Sequence, residues 1–165
     1  MNIIENLKSI EGPILVIGAS GFVGANLFNL IKDHRDDVFG TSFSGSGWRH
    51  KNSSSIIHMN ICDIENVKDV YERVKPKTIF DCSSFGAYSF EDNSDLIHKT
   101  NFIGLIDFLE FLKTKPLSAY IHAGSSSEYG LNSKQPMEDS KLIPNSHYAV
   151  SKAAASNAIT FYGKI

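Results

Sequence analysis

Cysteine is almost absent from this chain. Two residues in 165 are too few for the disulfide framework that holds small secreted domains together. Cys62 and Cys82 both sit in apolar runs and are expected to be reduced and buried. A basic excess is missing too: 16 Lys and Arg stand against 18 Asp and Glu, a net charge of −2. That balance argues against a nucleic-acid binder, which presents a positive stripe. No stretch approaches the ~18 uninterrupted apolar residues of a membrane span. The N-terminal MNIIENLKSIEG carries acids and no continuous apolar core, so it does not read as a signal peptide. The six histidines are scattered without ligand spacing, so no metal is expected, and His98 reads as a helix-face residue. Repeats and low-complexity tracts are lacking. What remains is a cytoplasmic globular protein, 42% hydrophobic and long enough for one domain, residues 1–165, with a sizeable core.

The apolar run Pro13–Ile17, bounded by Gly12 and Gly18, predicts a buried strand. The glycine-rich stretch 18–24 follows, then Ala25–Lys32 with helical spacing, which together open a βαβ unit. Further strands are predicted at Val38–Phe43, Ile56–Ile61, Thr78–Cys82 and Leu117–Ala123. Asp63 is placed to cap a helix ending near Val74. A long helix is expected over 94–113, apolar nearly all round, and a last one over Tyr148–Tyr162. Residues 44–55 and 124–146 read as loops. Strands alternating with helices predict an α/β fold, a doubly wound parallel sheet of Rossmann type.

Three residue sets carry chemistry. In the turn Gly18-Ala-Ser20-Gly21-Phe22-Val23-Gly24, the first glycine permits a tight turn. The second lets the backbone approach a pyrophosphate, and the third lets helix and strand pack closely. The helix N-terminus adds free N–H groups and a positive dipole. Tyr148 and Lys152, four apart at a helix start, share one face. An ammonium near a phenol favours the phenolate and makes tyrosine a usable acid/base. The serine cluster Gly124-Ser-Ser-Ser-Glu-Tyr-Gly130 follows a strand, where ligands of open α/β sheets bind.

Taken together, these motifs resemble the extended short-chain dehydrogenase/reductase family, which holds nucleotide-sugar epimerases, dehydratases and 4-keto reductases. The resemblance spans about residues 13–162. Gly18, Gly21 and Gly24 match its GxxGxxG. Asp63 with Ile64 matches the acid that meets adenine, Asn101 matches the asparagine of the long fourth helix, and Pro144–Lys152 matches the entry to the active-site helix. The resemblance implies that Tyr148 is the acid/base and that Lys152 holds the nicotinamide ribose and lowers the tyrosine pKa. It implies that Ser126 orients the substrate oxygen, with Ser125 as runner-up, and that Asn101 belongs to the catalytic set. Cofactor contacts are expected from Gly18, Ser20, Gly21, Phe22, Val23, Gly24, Ser44, Asp63, Ile64, Tyr148 and Lys152. The second strand ends without the acid that bonds the ribose hydroxyls of NAD. Ser44, Arg49 and Lys51 are therefore set to meet a 2′-phosphate, which tips NAD or NADP toward NADP. Trp48 reads as a loop anchor. Phe80-Asp-Cys-Ser-Ser-Phe85 stands where the family has small apolar residues, a departure in the cofactor wall.

The implied function is an NAD(P)-dependent oxidoreductase or epimerase acting on a nucleotide sugar, with a loop most like 4-keto-6-deoxy-sugar reductases. Two alternatives stay open: a non-catalytic dinucleotide-binding or regulatory module, and a 4,6-dehydratase using Glu128. Extended members continue into a smaller substrate lobe, expected to be missing here, so this chain should bind cofactor but turn over sugar poorly. They also pair through the helices corresponding to 94–113 and 148–162, which implies a homodimer.

Overall fold

The computed structural model describes residues 3–45, 49 and 53–164; Trp48 and Lys51 lie outside them. Contacts divide the chain into two compact units, 1–83 with 111–123 and 84–110 with 124–165.

The first unit is built on a parallel sheet. Its strands are β1 (Ile14–Ile17), β2 (Val38–Ser42), β3 (Ile56–His58), β4 (Thr78–Asp81) and β5 (Ala119–His122). Their order is β3-β2-β1-β4-β5, with every neighbouring pair parallel. Strand order reverses beside β1, so β1 and β4 flank the switch point where such sheets leave a crevice for ligands. All four β1 residues are buried, as a central strand covered on both faces requires. Helix α2 (Phe22–Lys32) buries Phe28 and Ile31, which join Ile14, Val16, Ala19 and Val38 in one core cluster. Helix α3 (Ile64–Val74) turns Val67, Val70, Tyr71 and Val74 inward. Asp63 caps it as the sequence predicts, accepting from Glu65 N and Asn66 N at 3.2 Å each.

The predicted strands all form, each trimmed by one to three residues at its ends. A short helix α1 (Ile3–Ser9) precedes them and was not legible in the sequence. Its Leu7 enters the α2 core cluster. Arg35 holds its end: the guanidinium forks onto Asp37 at 2.8 and 2.7 Å and donates to the carbonyls of Leu7 (3.0 Å) and Ile10. No local periodicity announces a helix secured by an arginine 28 residues away. The cysteines depart from expectation in one respect. Both are thiols, but each is only half-buried.

The second unit is helical. The long helix expected over 94–113 forms over 94–112, as α4 (Ser94–His98), a π-helical turn (Lys99–Ile103) and α5 (Gly104–Leu112) in unbroken succession. The serine cluster forms a 3₁₀ turn, Ser126–Tyr129, rather than open loop. Helix α6 (His147–Tyr162) is capped by Ser146, which accepts from Ala149 N at 3.1 Å. It packs against α4, the π turn and the 3₁₀ turn.

Candidate functional site

In the sheet unit, the stretch 18–24 makes a turn that ends at α2. Gly18 has φ +73°, a conformation that favours glycine. Gly21 N donates to Gly18 O at 3.0 Å, and Ala19 N to Thr41 O at 2.8 Å. Gly21 is the N-cap of α2 and offers no side-chain capping bond, so the first N–H groups of the helix are left to an external acceptor. Phe22 and Val23 stand exposed beside them, at 76% and 60%. Uncapped donors, a cradle without Cβ at Gly21 and apolar flanks fit a dinucleotide pyrophosphate. Ser44 is exposed just beyond β2, and Ser20 and Ile64 are half-buried. Arg49 reaches the turn, donating to Ser20 O at 3.4 Å, while its own carbonyl accepts from Asn29 Nδ2 at 2.8 Å. Asp63 is exposed, and its Oδ1 is already engaged as the cap of α3.

Beside β1, the departure at Asp81 is a buried polar cluster. Asp81 is 1% exposed. Its Oδ1 accepts from Ser83 N at 3.0 Å and Ser83 Oγ at 2.6 Å, and its Oδ2 accepts from Tyr120 OH at 2.8 Å. His122 Nδ1 lies 2.9 Å from Oδ2. Burial pushes the Asp81 carboxyl up, but the hydrogen bond and charge of His122 and the Ser83 bonds outweigh it. The group is held below the ordinary carboxylate range. Burial, then the Asp81 charge, drives the Tyr120 phenol well above its usual value. The register Ile17↔Asp81↔His122 puts the pair at the C-terminal row of the sheet. Asp81 was legible as a departure, but its partners, about 40 residues away in sequence, were not.

In the helical unit, three packed elements gather the proposed catalytic residues. Tyr148, half-buried, and Lys152, 2% exposed, lie one turn apart on α6. Asn101, in the π turn, is buried. Its Oδ1 accepts from Phe85 N at 2.8 Å, and its Nδ2 donates to Phe85 O at 2.8 Å and Ser151 Oγ at 3.0 Å. Ser151 Oγ donates in turn to Tyr148 O at 2.8 Å. A π turn places a side chain off the regular helix face, and such turns recur at functional sites. Here Asn101 reaches the backbone of Phe85 and the hydroxyl of Ser151, which in turn bonds the carbonyl of Tyr148. Ser126 is exposed at the start of the 3₁₀ turn, whereas Ser125 is half-buried and caps it. Ser125 Oγ accepts from Ser127 N at 3.2 Å, and Glu128 Oε1 accepts from Ser125 N at 2.7 Å. Glu128 is thus folded back, buried, onto its own turn.

Among the described residues, no helix is long and apolar enough to cross a membrane. Comparison with known proteins agrees with these elements. The chain is 29% identical over 168 residues to UDP-glucuronate 4-epimerase 2 of Arabidopsis thaliana, covering 92% of this chain and 38% of that protein. It is 25% identical to dTDP-glucose 4,6-dehydratase of Haemophilus influenzae, covering 88% of this chain and 50% of that one. The fold superposes on UDP-glucose 4-epimerase of Thermotoga maritima with a TM-score of 0.82 at 22% identity, covering 92% of this chain and 51% of that structure. The chain therefore spans half or less of the length of the curated relatives it matches. Residues 14–164 match the NAD dependent epimerase/dehydratase family over nearly the whole sequence, and the chain belongs to that family.

Proposed function

We propose that residues 1–165 act as the dinucleotide-binding domain of a nucleotide-sugar epimerase or 4-keto reductase. The observation that carries this reading is a nearly inaccessible lysine, Lys152, one helical turn beyond a half-buried tyrosine, Tyr148, on a helix that Asn101 fixes. A buried ammonium is costly unless it serves a partner, and the i,i+4 spacing puts Lys152 on the helix face of Tyr148. Tyr148 gives or takes the proton on the substrate oxygen. Lys152 holds the cofactor ribose, and Ser126 or Ser125 orients the oxygen. The turn 18–24, with Ser44, Asp63 and Ile64, holds the dinucleotide. When bound, a nicotinamide supplies acceptance and return of hydride. The absence of an acid at the end of β2 and the reach of Arg49 to the turn favour NADP over NAD. Glu128, spent on its own turn, speaks against the dehydratase alternative, which needs that carboxylate at the sugar.

Calorimetric titration of NADH and NADPH into the chain is expected to give saturable binding, retained in Tyr148→Phe. With a 4-keto-6-deoxy nucleotide sugar, Tyr148→Phe should reduce turnover by about 10²-fold or more. A folded chain that binds neither dinucleotide refutes the cofactor site, and Tyr148→Phe turning over at the parent rate refutes the acid/base role.

The helical unit also exposes Leu96, Ile103, Val150 and Phe161, at 40%, 49%, 44% and 57%. This supports a homodimer through the α4–α5 segment and α6, expected to appear at twice the chain mass in sedimentation equilibrium. A monomer at ~100 µM, far above the Kd of a stable dimer, refutes it.

A further inference from the structure

The sequence scatters its histidines, but the helical unit brings two of them together. His98, half-buried at the end of α4, and His147, exposed as the first residue of α6, place Nε2 and Nδ1 3.2 Å apart. The rings meet nearly edge to face, with centroids 5.4 Å apart and planes at 85°.

We propose that His98 and His147 form a two-histidine site for a borderline divalent cation, Zn²⁺ or Ni²⁺, that clamps α4 to the first turn of α6. Distance is the first argument. Two imidazole nitrogens bound tetrahedrally to zinc at ~2.0–2.1 Å are separated by about 3.3 Å. The observed gap already has that bite, so small ring rotations that turn both lone pairs to one point complete it. Chemistry is the second. An N–H···N contact engages only one lone pair; with each neutral ring carrying its proton on the far nitrogen, both facing lone pairs are available to a cation. Imidazole is a ligand suited to zinc and nickel rather than magnesium or calcium.

Among the described residues, no group of three or more His, Cys, Asp or Glu side chains is placed to hold a metal. Water must therefore fill the remaining positions. That makes the site open and exchangeable, unlike a closed structural zinc centre. The positive end of the α6 dipole opposes the cation, but at a solvent-exposed helix start this field is screened and falls off within one turn. The site precedes Tyr148 by one residue, so its occupancy bears on the stiffness of the turn that carries that side chain.

The test is Zn²⁺ titration of the untagged chain by calorimetry, beside His98→Gln, His147→Gln and the double variant. One site per chain is expected. Each single variant should lose about tenfold or more in affinity, and the double variant should lose little beyond either one. That non-additivity is the mark of two ligands on one ion. Equal affinity in the parent and double variant overturns the site, because the ion then sits on other side chains. Single variants that bind like the parent overturn it as well. Electron paramagnetic resonance of the Cu²⁺-loaded parent chain gives a reading independent of any substitution. Hyperfine coupling to two equivalent nitrogens is expected, and coupling to one overturns the clamp.

Discussion

Replacing Asp81 by alanine is expected to lower the unfolding free energy by about 3 kcal/mol or more, since several buried donors lose their acceptor at ~1–3 kcal/mol each. The side chain that goes is nearly inaccessible, and it accepts from Ser83 twice, from Tyr120 and from His122. Alanine leaves those donors without their acceptor. Asp81→Asn keeps the shape but has a single acceptor oxygen, so its loss should be smaller yet clear. Urea unfolding monitored by circular dichroism measures both. A loss below about 1 kcal/mol in the alanine variant would show that the cluster relaxes and rehydrates. The acid limb gives an independent reading. The folded carboxyl lies below its unfolded value of about 3.9, so its contribution is fully present above that value. It disappears as pH falls through the folded value. The parent should thus lose stability below about pH 4 more steeply than the alanine variant, which lacks the group.

What the sequence disclosed and what it hid divide along the length of the interactions. The β1–glycine turn–α2 unit was legible because every signal in it is local: an apolar run, a glycine that must turn, and a helix that must start. Asp63 was legible as a cap for the same reason, since the N–H groups that donate to it lie two and three residues ahead. The π turn after His98 was hidden because Lys99–Ile103 has unremarkable helical composition. The π turn is maintained by bonds from Asn101 to Phe85 and Ser151, both far off in sequence. Glu128, which the dehydratase alternative would use, is returned by the structure to the backbone of Ser125 through a capping box. That pattern, Ser followed three residues later by Glu, is a local signal, and the serine repeat masked it. The Asp81–His122 and His98–His147 pairs are separated by 41 and 49 positions, beyond any spacing rule.

The glycine turn permits a sharper experiment, because its glycines are needed for different reasons. A Cβ at Gly24 would fall 2.3 Å from the carbonyl oxygen of Gly18 and 2.9 Å from its carbon. Both are backbone atoms of the turn that ends β1, and neither can swing aside as a side chain would. Gly24→Ala must therefore lift α2 from the sheet that buries Phe28 and Ile31. Overpacking of this kind costs about 1–3 kcal/mol, and a lower melting temperature is expected with or without ligand. Gly21 is different. Its φ of −72° suits any residue, and an added Cβ would meet only Gly18 O, at 3.3 Å. Gly21→Ala should fold and melt close to the parent. Yet the methyl group would stand at the uncapped start of α2, where an incoming pyrophosphate needs direct approach to the N–H groups. A shift of ~1.4 kcal/mol in binding is tenfold, and a loss of at least that size in NADPH affinity is expected for Gly21→Ala. Unchanged NADPH affinity in a folded Gly21→Ala variant would mean that phosphate does not sit on this helix end, and the dinucleotide assignment would fall with it.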